Sequence, residues 1–217
     1  MMSVDRALEA LEKSLTSYSS LKIVAVSGPG EPLANLQTLE LLTEVRRLHP
    51  ELRICLSTNG TLLEGAVDDL VDLGVETVSV SFSAVRPRTA ASIYEWAVLN
   101  GSRLSGLRMG ERIVETQLAG IRRASDSGVV VKVNSILIPR LNAEEMHLVA
   151  EAVSNAGAAI QNIVPLVPAD RMLRERPPRS QEIEAARSRC AKYIDQFHHC
   201  QQCRSDVVGI PGADTIL

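Results

Sequence analysis

The chain has 217 residues, 45% hydrophobic and 23% charged, which is the make-up of one ordinary globular domain. A net charge of -3 and a pI near 5.9 speak against a nucleic-acid or anionic-membrane partner. With no apolar run near the roughly 18–20 residues of a membrane span and no signal-peptide pattern at Met-Met-Ser-Val-Asp-Arg, a cytoplasmic location is expected.

Val4, Leu8, Leu11 and Leu15 share one face of a helix over 4–17, behind a Ser3 cap. The apolar run from Leu21 to Val26 reads as a buried strand that ends at Ser27 and breaks into Gly28-Pro29-Gly30-Glu31. Glycines at a strand exit let backbone groups approach a ligand, and α/β proteins place their sites at the carboxyl ends of strands. The competing reading is a plain βα turn. Apolar residues at 36, 39, 42, 45 and 48 predict a helix over 36–48, capped by Asn35 and stopped at His49-Pro50. A strand over 52–57, a helix over 63–73 closed by Gly74 and a strand over 76–83 follow. A long Gly-punctuated loop is expected over 86–108, holding Tyr94 and Trp96. Next come a helix over 110–127 ending at Gly128 and a strand over 129–137. Asn142 and Glu145 suggest a capping box for a helix reaching Ala156. A strand over 160–164, a basic linker over 171–179 and a helix over 180–197 complete the pattern.

Alternating strands and helices imply a parallel sheet of βα units. The first element is a helix, whereas such folds normally open on a strand, so the chain looks as if it starts late. The strands are polar on one side. Cys55 and Ser57 alternate with Ile54 and Leu56, Ser79 and Ser81 with Val78 and Val80, and Lys132 and Asn134 with Val131 and Val133. A sheet covered by helices on both faces shows continuous apolar runs instead. The expected arrangement is a sheet curled around a polar interior; the alternative is an open sheet with one solvated face.

Four cysteines carry the metal question. Cys200 and Cys203 have the spacing that lets two thiolates meet one metal or cluster. One pair is half a tetrahedral zinc site, so zinc would need His198 or His199 with Cys55 or Cys190. Thiolates without a second pair suit an iron–sulfur cluster equally well, and two idle surface thiols are the third reading. Cys55 points to the polar face as a candidate ligand or a small buried residue. Cys190 falls on the stripe Ile183, Ala186, Cys190, Ile194, Phe197 and is expected in the core. His49 and His147 read as ordinary residues, and Lys132 as a base, a carboxylate partner or a structural ion-pair member.

The segments AVSGPGEPLAN, ICLSTNGTLL, SVSFSAVRP, IYEWAVLNG, VKVNSILIPRLN, QNIVPLVP and HHCQQCRSDVVG run in order from about Leu21 to Gly209. Together they resemble the NifB-type radical S-adenosylmethionine (radical SAM) proteins of nitrogenase cofactor biosynthesis. The resemblance implies a partial (β/α)6 TIM-like radical SAM barrel, with 4Fe-4S clusters and S-adenosylmethionine at its open end. It divides the chain into an incomplete barrel over 1–170 and a linker, helix and cluster-ligating tail over 171–217. It implies an S-adenosylmethionine-dependent radical lyase that fuses 4Fe-4S clusters with carbide insertion. Cys55, Cys200 and Cys203 match cluster ligands. Gly28, Gly30 and Glu31 match the strand end that cradles the methionyl part of the cofactor, with Asn59 and Asn134 as further contacts. Implied partners are S-adenosylmethionine, iron–sulfur clusters from an assembly system, scaffold or carrier proteins, and a reductant such as ferredoxin.

The family's Cys-x3-Cys-x2-Cys is absent from these 217 residues. The expectation is therefore an N-terminally truncated barrel, its first strand missing, that is inactive alone. A non-catalytic iron–sulfur scaffold or carrier is the alternative. Ser83, Arg140 and Gln161 stand where the family more often has Asn, Gly and His. A missing strand would also leave 21–27 as an unpaired edge, which predicts self-association.

Overall fold

A computed structural model describes residues 3–28 and 30–198, together with the backbone of two short strands at 207–210 and 213–216. The first helix, α1 (Val4–Ser17), opens on Ser3, whose hydroxyl accepts from the Arg6 N–H. Leu8 and Leu11 lay its apolar side against the core. Strand β1 (Ile23–Val26) leads through a single 3-10 turn, Pro32–Ala34, into α2 (Leu36–Leu48). Asn35 caps α2 by accepting from the Gln37 N–H, satisfying one of the donors a helix start leaves open.

The chain continues through β2 (Arg53–Thr58), α3 (Leu63–Asp72), β3 (Val75–Ser81), α4 (Pro87–Ile93), β4 (Trp96–Leu99) and β5 (Ser102–Ser105). It then forms α5 (Gly106–Asp126), β6 (Val130–Leu137), α6 (Met146–Asn155), β7 (Ile160–Pro165), α7 (Ser180–Cys190), β8 (Val207–Ile210) and β9 (Ala213–Ile216). Five strands make one parallel sheet in the order β1-β2-β3-β6-β7. Each new strand is added on the same side of the last, and parallel crossovers are right-handed, so successive helices fall on one face of the sheet. That face is apolar. Ile54, Leu56, Val78, Val80, Val131, Val133 and Ile163 share one core with Leu42, Leu63, Val67, Ile121, Met146 and Val149 of the helices. The same core takes in Ala186, Cys190 and Ile194. This is a partial TIM-like barrel, as the family resemblance implies, with its polar strand residues on the opposite, concave face. No helix among the described residues is long and apolar enough to cross a membrane.

Four local expectations change. The strand after α1 is not buried: β1 is an edge strand, and Ile23 is 57% exposed because no further strand covers that side among the described residues. The stretch 86–108 is not a loop: it holds α4 and an antiparallel hairpin of β4 and β5. The hairpin turns on Asn100 and Gly101, both at positive φ, the residue pair that suits a two-residue hairpin turn. Leu99, Met109 and Ile113 close a small second core beneath it. Asn142 does not cap α6. Its Oδ1 accepts from the Ile138 N–H, and its Nδ2 donates to the carbonyls of Ser83 and Ile136. Glu145 turns away too, accepting from the Val85 N–H and the Thr89 hydroxyl. The last long helix stops at Cys190 rather than 197, because Asp195–Phe197 lies against β7. There the Gln161 N–H donates to Asp195 O, and the Phe197 N–H to Gln161 O. The edge of β7 takes the backbone bonds that Asp195 and Phe197 would otherwise have made within a longer helix.

Candidate active site at the carboxyl ends of the strands

The strand register sorts the concave face into rows. Ala25, Cys55 and Thr77 pair across β1, β2 and β3, and one step further Ser57, Ser79, Lys132 and Ile160 pair across four strands. A third row, Ser81, Asn134 and Asn162, lies closest to the carboxyl ends. Paired residues on parallel strands point to the same face, so Cys55, Lys132 and Asn134 face a common surface. Between Ile54 and Cys55 the register against β3 shifts by one residue. Such a bulge bends the strand and re-aims its side chains, and here it falls at the candidate ligand Cys55, which is half-buried.

Glu31 ties the loop after β1 to the exit of β2. Its Oε1 accepts from the Thr58 hydroxyl at 2.6 Å and the Leu33 N–H at 3.1 Å, while Oε2 accepts from the Asn59 N–H at 2.6 Å. The carboxylate therefore builds the rim from inside. Asn59 is exposed at that rim, its Oδ1 accepting from the Thr61 N–H and hydroxyl. Gly28 and Gly30 border it: a Cβ added at either would meet no atom within 4 Å, and Gly30 has φ +155°. A side chain at 30 would be strained, and the space beside both glycines is open.

Among the described residues, two buried polar atoms on this side lack a partner: Ser27 Oγ, just past β1, and Asn162 Oδ1. Asn162 is 1% exposed and donates to Asn134 Oδ1, at 3.1 Å. Buried polar atoms left unpaired in a native fold call for a ligand or water. The side-chain-free backbone at Gly28 and Gly30 and these unsatisfied acceptors fit a polar small molecule such as S-adenosylmethionine.

The candidate metal ligands fall only partly among the described residues. Cys55 is placed on the concave face, whereas Cys200 and Cys203 lie outside the described residues. Among the described residues no group of three or more His, Cys, Asp or Glu is arranged to hold a metal ion. Lys132 sits with its Nζ 4.7 Å from the centre of the Phe197 ring. This cation–π contact fastens the segment beside β7 three residues before Cys200. Cys190 is in the core, as its stripe predicts, its Sγ donating to Met146 O. Burial pushes its thiol up to about 11. At pH 8 only about one thiol in a thousand is then the reactive thiolate. Iodoacetamide should leave Cys190 unmodified in the folded chain and label it in denaturant, as read by peptide mass spectrometry; rapid native labelling would contradict its placement.

Sequence reasoning missed Asn162 and Gln117. Gln117 lies on the buried face of α5, 3% exposed, and its Nε2 donates to Asn59 O at 2.6 Å and Ser81 O at 2.9 Å. The available signal was a polar residue set within the apolar stripe Ile113, Val114, Ile121, Ala124.

Comparison with known proteins gives this geometry its class. Residues 1–153 match the Radical SAM superfamily, and the chain belongs to that superfamily. Its scaffold is thus that of S-adenosylmethionine-dependent enzymes. Within it, the chain is 39% identical over 221 residues to the FeMo cofactor biosynthesis protein NifB of Klebsiella pneumoniae, covering 99% of this chain and 47% of that protein. It is 38% identical over 200 residues to NifB of Methanocaldococcus jannaschii, covering 92% and 66% respectively. The chain therefore spans about half the length of the first relative and two-thirds of the second. A radical SAM methyltransferase from Sphaerobacter thermophilus shares the fold with a TM-score of 0.64 at 18% identity, over 89% of this chain and 55% of that one. Streptococcus suis SuiB does so with a TM-score of 0.65 at 10% identity, over 92% and 44%.

Proposed function

We propose that this chain forms the S-adenosylmethionine-binding barrel of a NifB-type maturase, which fuses 4Fe-4S clusters with carbide insertion to make a nitrogenase cofactor precursor. The observation that carries the reading is the rim at the carboxyl ends of β1 and β2. There Glu31 joins the Gly28–Gly30 loop to Asn59 across the concave face that bears Cys55. The backbone at Gly28 and Gly30 would receive the methionyl part of S-adenosylmethionine, with Asn59 and Asn134 as further contacts. Cys55, Cys200 and Cys203 would hold cluster iron. Residues 1–170 serve as the barrel and 171–217 as the linker, helix and ligating tail.

S-adenosylmethionine, when bound and reduced, supplies a carbon radical. The chain's own part is to orient that cofactor and hold the substrate clusters through thiolates. Only four cysteines are present, and Cys190 is sealed in the core. The polypeptide alone then offers three thiolates and should bind S-adenosylmethionine without cleaving it. Clusters from an assembly system, a scaffold or carrier protein, and a reductant such as ferredoxin in the cytoplasm complete the scheme. The same thiolate count supports a second reading, a non-catalytic cluster scaffold.

Anaerobic reconstitution with iron and sulfide, followed by equilibrium dialysis with labelled S-adenosylmethionine, tests the proposal. The chain should bind both, and the Cys200→Ala, Cys203→Ala double variant should lose most of the iron while keeping S-adenosylmethionine. Iron retention without S-adenosylmethionine binding would favour the scaffold; failure to bind either would end both readings.

A further inference from the structure

The backbone of Asn59 is held on both sides of its Cα. Its N–H donates to Glu31 Oε2 and its C=O accepts from Gln117 Nε2, each at 2.6 Å. Its Oδ1 is committed to the Asn59–Thr61 turn. The second Nε2 bond of Gln117 reaches Ser81 O at 2.9 Å, so a single amide spans the carboxyl ends of β2 and β3. Both Nε2 hydrogens are thus used, and two bonds to backbone carbonyls hold this buried amide in one geometry.

We infer that Gln117, reaching up from α5 inside the core, is the positioning residue that fixes Asn59 and the β2–β3 rim for cofactor binding. The inference rests on the S-adenosylmethionine reading above. Glu31 holds only the Thr58–Asn59 peptide unit, through the Asn59 N–H, and leaves the Asn59–Gly60 unit free to turn about the Asn59 backbone dihedrals. The bond from Gln117 to the Asn59 carbonyl fixes that second unit, so the Asn59 Cα is held on both sides. Holding the donor side chain of Asn59 in one orientation before binding spares the ordering cost at the moment of binding. Ser81 next to Asn134 is held by the same amide, so the two candidate contacts Asn59 and Asn134 keep a fixed separation.

Gln117→Met keeps length and burial but removes both donors, and Gln117→Asn keeps the amide but shortens its reach. Hydrogen exchange of the peptide spanning 57–62 in the full chain reads the clamp without any ligand. Dialysis with S-adenosylmethionine reads its purpose, and a thermal melt reads general damage. Both variants should speed exchange at 57–62, and dissociation constants should rise about tenfold, the effect of losing one good hydrogen bond. Unchanged exchange in either folded variant would overturn the clamp. Faster exchange or a lower melting temperature with unchanged affinity would show Gln117 to be structural only. A wild-type chain that binds no S-adenosylmethionine would defeat the cofactor reading, and this inference with it.

Discussion

Gly110→Ala is expected to destabilise the chain by about 3 kcal/mol, at the upper end for an overpacked site. A Cβ at 110 would lie 2.1 Å from Pro87 O, 2.9 Å from Pro87 C and 3.2 Å from Ala91 N. These are backbone atoms of α4, and no side-chain rotation can clear them. The two helices must separate. The sign makes the test sharp, because an alanine inside a helix otherwise gains about 1 kcal/mol over glycine. Urea unfolding should show a lower midpoint with little change in slope; a midpoint that is unchanged or raised would mean α4 and α5 are not packed at this distance. Displacing α4 also moves Thr89, whose hydroxyl donates to the buried Glu145. Damage at the helix crossing is then passed to the loop after β3.

Glu31→Ala is expected to cost about 2–4 kcal/mol, since it leaves the Thr58 hydroxyl and the Leu33 and Asn59 N–H groups without their charged acceptor. Glu31→Gln should do almost as badly. Its amide keeps one oxygen but sets an NH2 against a backbone donor, the Asn59 N–H or the Leu33 N–H. Both variants should lose S-adenosylmethionine binding by dialysis as well as stability by urea unfolding. A Glu31→Gln protein as stable as the parent would show that the two carboxylate oxygens are not both required. Wild-type affinity in either variant would separate this latch from the site.

Much of the architecture was legible in the chain. Period-two alternation in 52–57, 78–83 and 129–136 marked a face that helices do not cover, and the register puts those polar residues in shared rows. The Gly28-Pro29-Gly30-Glu31 break marked the rim. The stripe through Ala186 and Cys190 marked a helix packed on the core, which it is. Errors came where a local pattern met a stronger distant partner. Asn142 has a capping residue's chemistry, yet three backbone groups around the β3 and β6 exits claim its side chain. Asn100-Gly101 was a readable hairpin signal set within flanks too short to look like strands.

Sequence alone determined the order of elements, the polar and apolar sides of the strands and the family motifs, because these depend on neighbours a few positions apart. Tertiary structure decided that Glu31 grips Asn59 across 28 residues and that Gln117 grips it across 58. It also decided that Asn162 is buried with an oxygen unpaired among the described residues. Hydrogen bonds between residues so distant in the chain leave no periodic trace, and only the closing of the sheet brings their donors and acceptors within reach.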